Sequence, residues 1–311
     1  MHDDYSKRKG SHLSQVLANI RSPLLSLYAL IRKSPPVWNI LNKTGKSLYK
    51  KNQPNLDDLQ QSILDKLILN GIAFTNLDEL FPGQDILSDI LRAAEKEKVN
   101  PELSKDKPFL DYSLGRGSEI DVSNPLIRAS ISPRVLQIVN SYLNHFSKLI
   151  YFELAQTNLT VDAVNPMGSQ RWHRDPSLNG LCKMFIYLSD VDLNSGPFTY
   201  VNESHSKGKL KRVLPQKQFG RHGCYPPDGA VEKLVSEEKF KVCKGKKGTV
   251  IFCDTTGLHK GGLSLNKSRI MYTSTYMPEG EIFKKNYTYP LDFSKKIATH
   301  DIVSRYAIAD V

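Results

Sequence analysis

Short runs of β-type residues, separated by turn residues, follow one another along the chain from Lys148 onward. Each run is four to eight residues long, which is the length of a strand and too short for a typical helix. The runs are 149–156, 159–164, 184–188, 198–201, 249–253 and 270–277. Many short strands with turns between them can bury their apolar faces only if they form sheets that pack against each other or close into a barrel. The series therefore predicts a β-sandwich or barrel.

Helical patterns precede these strands. Asn55, Asp57 and Asp58 place capping and acidic residues before an apolar periodic segment that stops at Gly71. Such residues stabilise the positive end of a helix dipole, so a helix is predicted there. A short strand at 72–75 and helices at 86–96 and 133–146 complete this half of the chain. The predicted fold class is mainly β with flanking helices (α+β).

The net charge of +11 is concentrated at the N-terminus, where residues 1–53 contain ten Lys and Arg residues against Asp3 and Asp4. We therefore predict a basic helical extension at 1–53 and a single domain at 54–311. Apolar residues recur at helical spacing from Leu13 to Ile31. Two interpretations stay open: a helix on an anionic membrane surface, or a helix packed on the domain with its charges in solvent. The small charge of the domain argues against nucleic acid as a partner.

No segment approaches eighteen uninterrupted apolar residues, so a membrane-spanning helix is not expected. The apolar stretch at 24–31 is short and is followed by Arg32 and Lys33 rather than by a cleavage site, which makes a secretory signal the weaker interpretation. The four cysteines form no C-x-x-C pair. These features predict a cytoplasmic protein, peripheral to a membrane if the extension binds one.

The tripeptide His173-Arg174-Asp175 carries the predicted chemistry. On a strand, residues i and i+2 point to the same face, so the imidazole and the carboxylate lie side by side. One further His from a distant strand completes a facial triad that leaves open positions on Fe(II) for O2 and a cosubstrate. His259 meets this requirement, since it follows a predicted strand and has glycines on both sides.

Arg269 opens the predicted strand at 270–277, ten residues after His259. A guanidinium fork at this place could bind the distal carboxylate of a dicarboxylate whose other end chelates the metal.

Several motifs in order resemble the phytanoyl-CoA dioxygenase-like family of Fe(II)/2-oxoglutarate-dependent oxygenases. They are Leu-Asn-Gly-Ile-Ala at 69–73, Trp172 to Asp175, the stretches at 186–191 and 194–198, a Ser-His turn at 204–205, and His259 with Arg269. Glu203 stands where that turn usually has Gly. The resemblance implies a double-stranded β-helix (jelly roll) core, with iron on His173, Asp175 and His259 and with 2-oxoglutarate on Arg269. It also implies that O2 is used, that succinate and CO2 are released, and that hydroxylation is the commonest outcome.

Further contacts with 2-oxoglutarate are predicted at Gln156, Tyr187 and Thr273, because polar groups on the neighbouring strands serve this purpose in relatives. Asn158 is an alternative to Gln156, and His205 is the alternative third metal ligand.

The predicted function is hydroxylation of a small or amphiphilic organic substrate. Basic residues in the irregular stretch 204–247 would favour an anionic substrate, although a solvated loop explains them equally well. Two other functions stay open. One is a non-catalytic jelly-roll adaptor that binds anionic lipid or nucleic acid; the other is a cupin-like metalloenzyme without 2-oxoglutarate, which Arg269 disfavours.

Overall fold

The computed structural model describes residues 24, 27–105, 107–160, 166–215 and 225–309. The predicted helix before residue 24, most of the predicted strand at 159–164, and His222 lie outside these ranges; residues 158–160 are not in a strand. The strands are β1 Ile72–Asn76, β2 Leu110–Leu114, β3 Lys148–Thr157, β4 Cys182–Tyr187, β5 Phe198–Val201, β6 Phe240–Cys243, β7 Thr249–Cys253, β8 His259–Lys260 and β9 Ile270–Met277. The helices are α1 Pro35–Leu41, α2 Lys43–Lys51, α3 Asp58–Asn70, α4 Leu77–Leu80, α5 Ile86–Lys96, α6 Pro101–Ser104, α7 Pro125–Ile131, α8 Pro133–Leu143, α9 Ala230–Leu234, α10 Phe293–Ala298 and α11 Ile302–Ile308.

Two antiparallel sheets form the centre of the described chain. The major sheet has the strand order β1-β7-β4-β9-β3-β2, and the minor sheet has the order β6-β5-β8. Strands that are neighbours in the sheet are mostly distant in sequence, as in a jelly roll rather than a meander. The mainly β, helix-flanked fold predicted from the sequence is confirmed.

Alternation along β4 shows how the major sheet divides the interior. Met184 and Ile186 pack in the large apolar core, which includes residues of α3, α7 and α8. Phe185 and Tyr187 point the opposite way and pack against Phe198 of the minor sheet. Because successive strand residues point to opposite faces, one face is held by helices and the other faces the minor sheet, where the candidate site lies.

The helical layer begins as the sequence predicts. Asp57 caps α3 by accepting a hydrogen bond from the Gln60 backbone, and the Gln60 side chain accepts one from the Asp57 backbone. Gly71 ends the helix with φ +79°, and a Cβ at this position would meet the side chains of Tyr200 and His205. Only glycine combines this backbone conformation with so close an approach, so the chain turns directly from α3 into β1.

The observed bounds of the other helices and strands agree only partly with those predicted from the sequence. Helix α5 has the predicted bounds, whereas α8 ends at Leu143 instead of residue 146 because Asn144 adopts φ +59°. Strands β2, β6 and β8 were not predicted, since they are short and their partners are distant in sequence.

The chain before α3 contacts the body of the protein. Trp38 of α1 is buried with Ala29 and Leu178, and the Asn42 side chain accepts a hydrogen bond from the Gly280 backbone at 2.9 Å. The domain boundary at residue 53 stays a prediction. No helix in the described ranges is long and apolar enough to cross a membrane.

Candidate metal centre

The His173-Arg174-Asp175 segment is extended, but it is not the regular strand that the sequence predicts. His173 forms a single antiparallel bridge with His259, and the two residues exchange backbone hydrogen bonds of 2.9 Å each. The backbone N–H of Asp175 donates to the Thr255 carbonyl at 2.8 Å. This short pairing nevertheless places the side chains of His173 and Asp175 beside His259, as the sequence predicts.

Ligand atoms of His173, Asp175 and His259 all lie within 4.8 Å of one another. Asp175 Oδ1 is 3.9 Å from His173 Nε2, and Asp175 Oδ2 is 3.7 Å from His259 Nε2. Two ligands of one ion, each about 2.1 Å from it, are at most about 4.2 Å apart. The two measured separations therefore fit one ion, with two imidazoles and a carboxylate as its donors.

Both histidines are oriented by backbone carbonyls. Nδ1 of His173 is 2.8 Å from the Arg171 carbonyl, and Nδ1 of His259 is 2.9 Å from the Gly257 carbonyl. Nδ1–H therefore donates, which leaves the lone pair of Nε2 for a metal. Burial lowers the pKa of His173, and burial together with His173 lowers the pKa of His259 to about 3. Both rings are thus neutral, as metal ligands must be.

Asp175 is held by a hydroxyl and an ammonium. Thr255 Oγ1 donates to Asp175 Oδ2 at 2.6 Å, and Lys183 Nζ lies 2.7 Å from the same oxygen. Burial alone would raise the pKa of Asp175, but the Lys183 ammonium holds it well below its usual range. The carboxylate is therefore ionised, and its orientation is fixed.

Arg269 lines the same cavity as the three candidate ligands, a cavity of about 170 Å³ that we call the metal cavity. Its Nη1 donates to the Gly196 carbonyl, whereas its buried Nε has no hydrogen-bond partner among the described residues. No described carboxylate forms an ion pair with it, and burial lowers its pKa because the charged form is desolvated. A buried guanidinium in this state suits a ligand carboxylate.

The other residues predicted to contact 2-oxoglutarate differ in their position relative to the metal cavity. Thr273 lines the metal cavity. Tyr187 is fully buried beside Arg269 and donates its hydroxyl to the Cys243 carbonyl at 2.7 Å. Gln156 is exposed and does not line the cavity, since its strand neighbours Ala155 and Thr157 occupy the inner face. Asn158 donates to the Pro108 carbonyl on the outer side of β3.

His205 lies outside the cluster of candidate ligands, and its Nε2 is 3.2 Å from the Ile68 carbonyl. Trp172 donates its indole N–H to Glu232 and packs in a buried apolar cluster with Val201 and Leu258. His300 also lies outside the cluster of candidate ligands.

Sequence reasoning missed several residues of the metal cavity: Lys107, Tyr151, Glu153 and Lys183. One signal was available. Lys183 is the only charged residue in β4, and it shares the inner face of that strand with Phe185. A charged residue in an otherwise apolar strand is retained when it has a buried partner, which here is Asp175.

Comparison with known proteins agrees with this geometry. The model of the family described as phytanoyl-CoA dioxygenase (PhyH) matches residues 136–270, which include the three candidate ligands and Arg269. A search of curated protein sequences gave no match.

Among solved structures, the fold is similar to that of the epimerase SnoN in complex with Fe3+, alpha-ketoglutarate and nogalamycin RO. The TM-score is 0.51 at 15% identity, over 73% of this chain and 86% of that chain. It is also similar to HygX from Streptomyces hygroscopicus with nickel, 2-oxoglutarate and hygromycin B bound. Here the TM-score is 0.50 at 16% identity, over 74% and 90% of the two chains. These likenesses confirm the double-stranded β-helix, and the family match shows that the segment that carries the candidate metal centre is similar to phytanoyl-CoA dioxygenase.

Proposed function

We propose that the protein is an Fe(II)/2-oxoglutarate-dependent oxygenase that hydroxylates a small or amphiphilic organic substrate, with His173, Asp175 and His259 as the ligands of Fe(II). In the overall reaction, substrate C–H, O2 and 2-oxoglutarate give substrate C–OH, succinate and CO2. Iron supplies the redox chemistry that activates O2 when it is bound. The protein supplies the three donors, binds the cosubstrate and excludes water.

Arg269 is assigned to the distal carboxylate of 2-oxoglutarate. The observation that carries this proposal is the shared cavity: two neutral imidazoles and one carboxylate lie in the same small space as a buried guanidinium without an acidic partner. Thr273 lines this space and is proposed as a second contact, whereas Tyr187 would act only by supporting Arg269. The exposed position of Gln156 gives no support for a contact.

The test is succinate formation from 2-oxoglutarate in the presence of Fe(II), ascorbate and a screen of small molecules. A hydroxylated product should contain one oxygen atom from 18O2. Stimulated succinate release without any 18O in the product would support oxygenase turnover but contradict hydroxylation. An absence of Fe(II)-dependent succinate across the screen, with or without substrate, would contradict the function.

We also propose that the N-terminal region contacts an anionic membrane surface. Its support is a group of exposed apolar side chains, between 51% and 73% accessible, in a segment rich in Lys and Arg: Leu24, Leu27, Leu30, Ile31 and Ile40. Apolar side chains with basic neighbours bind the interface of anionic lipid.

The full-length protein should co-sediment with vesicles that contain phosphatidylserine, and L27S/L30S should abolish this co-sedimentation. The matched variant I68S/L69S, which removes two exposed apolar side chains of α3, should not. Equal sedimentation of all three proteins would contradict the proposal.

A further inference from the structure

A second cavity lies directly beside the metal cavity. It has a volume of about 490 Å³, and we call it the outer cleft. Tyr151, Asp175 and Lys183 line both cavities. The two spaces therefore adjoin at these three side chains, and a molecule in the outer cleft would lie next to a proposed metal ligand.

The wall of the outer cleft is apolar near the residues that it shares with the metal cavity. Ile150, Leu181 and Met277 form a small buried cluster, against which Tyr151 packs. Phe283 adds a ring that is 37% exposed. The side chains of Ile150, Leu181, Met277 and Phe283 can cover an alkyl or aromatic group of a ligand but offer it no hydrogen bonds.

The rim of the outer cleft is cationic. Arg116 and Lys284 are exposed, and no described residue forms an ion pair or side-chain hydrogen bond with either. Lys285 also lines the cleft, but its ammonium donates to Tyr289 and to the Ile308 carbonyl. The only carboxylate in the lining is that of Asp175, which Lys183 already neutralises.

Backbone hydrogen bonds hold this rim in place. The Gly117 N–H donates to the Asn286 carbonyl at 2.9 Å, and the Asn286 N–H donates to the Ile150 carbonyl of β3 at 2.8 Å. The turn that carries Arg116 and the segment that carries Lys284 are thus fastened to each other and to the sheet. Their two charges belong to a formed site rather than to independent loops.

We propose that the outer cleft is the distal part of the substrate site, and that the substrate is an organic anion with an apolar body. This inference rests on the proposed oxygenase function of the metal cavity. The terminal carboxylate or phosphate binds Arg116 and Lys284, because a fork of donors and an ammonium favour such groups and neither side chain has an acidic partner among the described residues. The apolar body lies on Ile150, Met277 and Phe283. The carbon to be oxidised then reaches the metal cavity past Tyr151 and Lys183.

The test measures binding by calorimetry to the full-length protein loaded with Ni(II) and 2-oxoglutarate, which prevents turnover. The probes are octyl phosphate, octanoate and 1-octanol. At least one of the two anions should bind, and R116E/K284E should weaken it at least tenfold while leaving 1-octanol unaffected. K66E/K98E changes the net charge equally at two exposed lysines elsewhere and should leave all affinities unchanged. The anion that binds more tightly shows whether the terminal group of the substrate is a carboxylate or a phosphate.

Three results would overturn the proposal: neither anion binds, R116E/K284E leaves the affinity unchanged, or K211E/R212E, in the irregular basic stretch 204–247, causes the loss instead. F283S provides a further check, because it should weaken the binding of octyl phosphate and octanoate without changing the binding of inorganic phosphate.

The same titrations without Ni(II) and 2-oxoglutarate separate the hypothesis about the outer cleft from the hypothesis about the metal cavity. Anion binding that depends on Arg116 and Lys284 in the metal-free protein supports the outer cleft even if the metal cavity fails to bind its cofactors.

Discussion

His173 and His259 face each other through two backbone hydrogen bonds of 2.9 Å, so the chain itself joins two of the proposed metal ligands. Their ring centroids are 4.1 Å apart. Since this pairing links distant parts of the sequence, the three donors come together only when the sheets have formed. Metal binding should therefore stabilise the folded protein, because the unfolded chain has no comparable site.

Removing one ligand should separate metal binding from folding. We expect His259→Ala to weaken Co(II) or Ni(II) binding by at least about 100-fold, more than is usual for the loss of a supporting residue. The measurement is the visible absorption of the Co(II) protein, with circular dichroism to check the fold. His300→Ala is the matched control, because His300 lies outside the cluster of candidate ligands. Normal Co(II) spectra from a folded His259→Ala protein would contradict the assignment.

Arg269 should affect the cosubstrate rather than the metal. Arg269→Met is expected to raise the KM for 2-oxoglutarate at least tenfold, since a charged hydrogen bond of about 1.5–3 kcal/mol is lost. Arg269→Lys should recover only part of this, because an ammonium cannot make the same pair of bonds. Co(II) affinity should stay within about twofold in both variants. A normal KM for Arg269→Met, as for the surface control Arg92→Met, would refute this role.

Thr255 gives a prediction about a residue that supports a ligand. Its hydroxyl donates to Asp175 Oδ2 at 2.6 Å. Thr255→Val keeps the shape of the side chain but removes this bond, so metal affinity should fall by about 10–100-fold, as is typical for such partners. Thr255→Ser should restore most of the affinity. Equal metal binding by the Val and Ser variants would show that the hydroxyl has no part in orienting the carboxylate.

Gly257 links the fold to the orientation of His259. A Cβ at Gly257 would overlap the Tyr200 hydroxyl and crowd Ser204. Gly257→Ala should therefore destabilise the protein by about 1–3 kcal/mol through overpacking, measured by thermal or urea unfolding. Adding Tyr200→Phe removes the overlapping hydroxyl and should recover part of the loss. If the double variant is no more stable than Gly257→Ala, the crowding at Tyr200 is not the cause.

The sequence predicted those parts of the site that depend on local spacing. His173 and Asp175 were found because two residues separated by one neighbour share a face of an extended chain. His259 and Arg269 were found because their spacing and order completed a recognisable pattern. The structure brings all four to one cavity.

The parts that the sequence did not predict depend on pairing between distant segments. Lys183 and Thr255 bond to Asp175 from separate strands and turns, and no local pattern indicates which residues will meet there. Gln156 shows the limit of local position: it lies on the expected strand, but it is exposed and does not line the metal cavity. Arg116 and Lys284 meet at one rim only because separate turns are joined by backbone hydrogen bonds.

The most direct test of the central claim is an anaerobic titration of the metal-free protein with Fe(II) and then with 2-oxoglutarate, followed by visible absorption. Chelation of Fe(II) by 2-oxoglutarate at the proposed triad predicts a metal-to-ligand charge-transfer band that saturates at one equivalent of Fe(II) and is absent in His259→Ala. If the folded protein binds Fe(II) without this band, or if the band persists in His259→Ala, the proposed site is wrong.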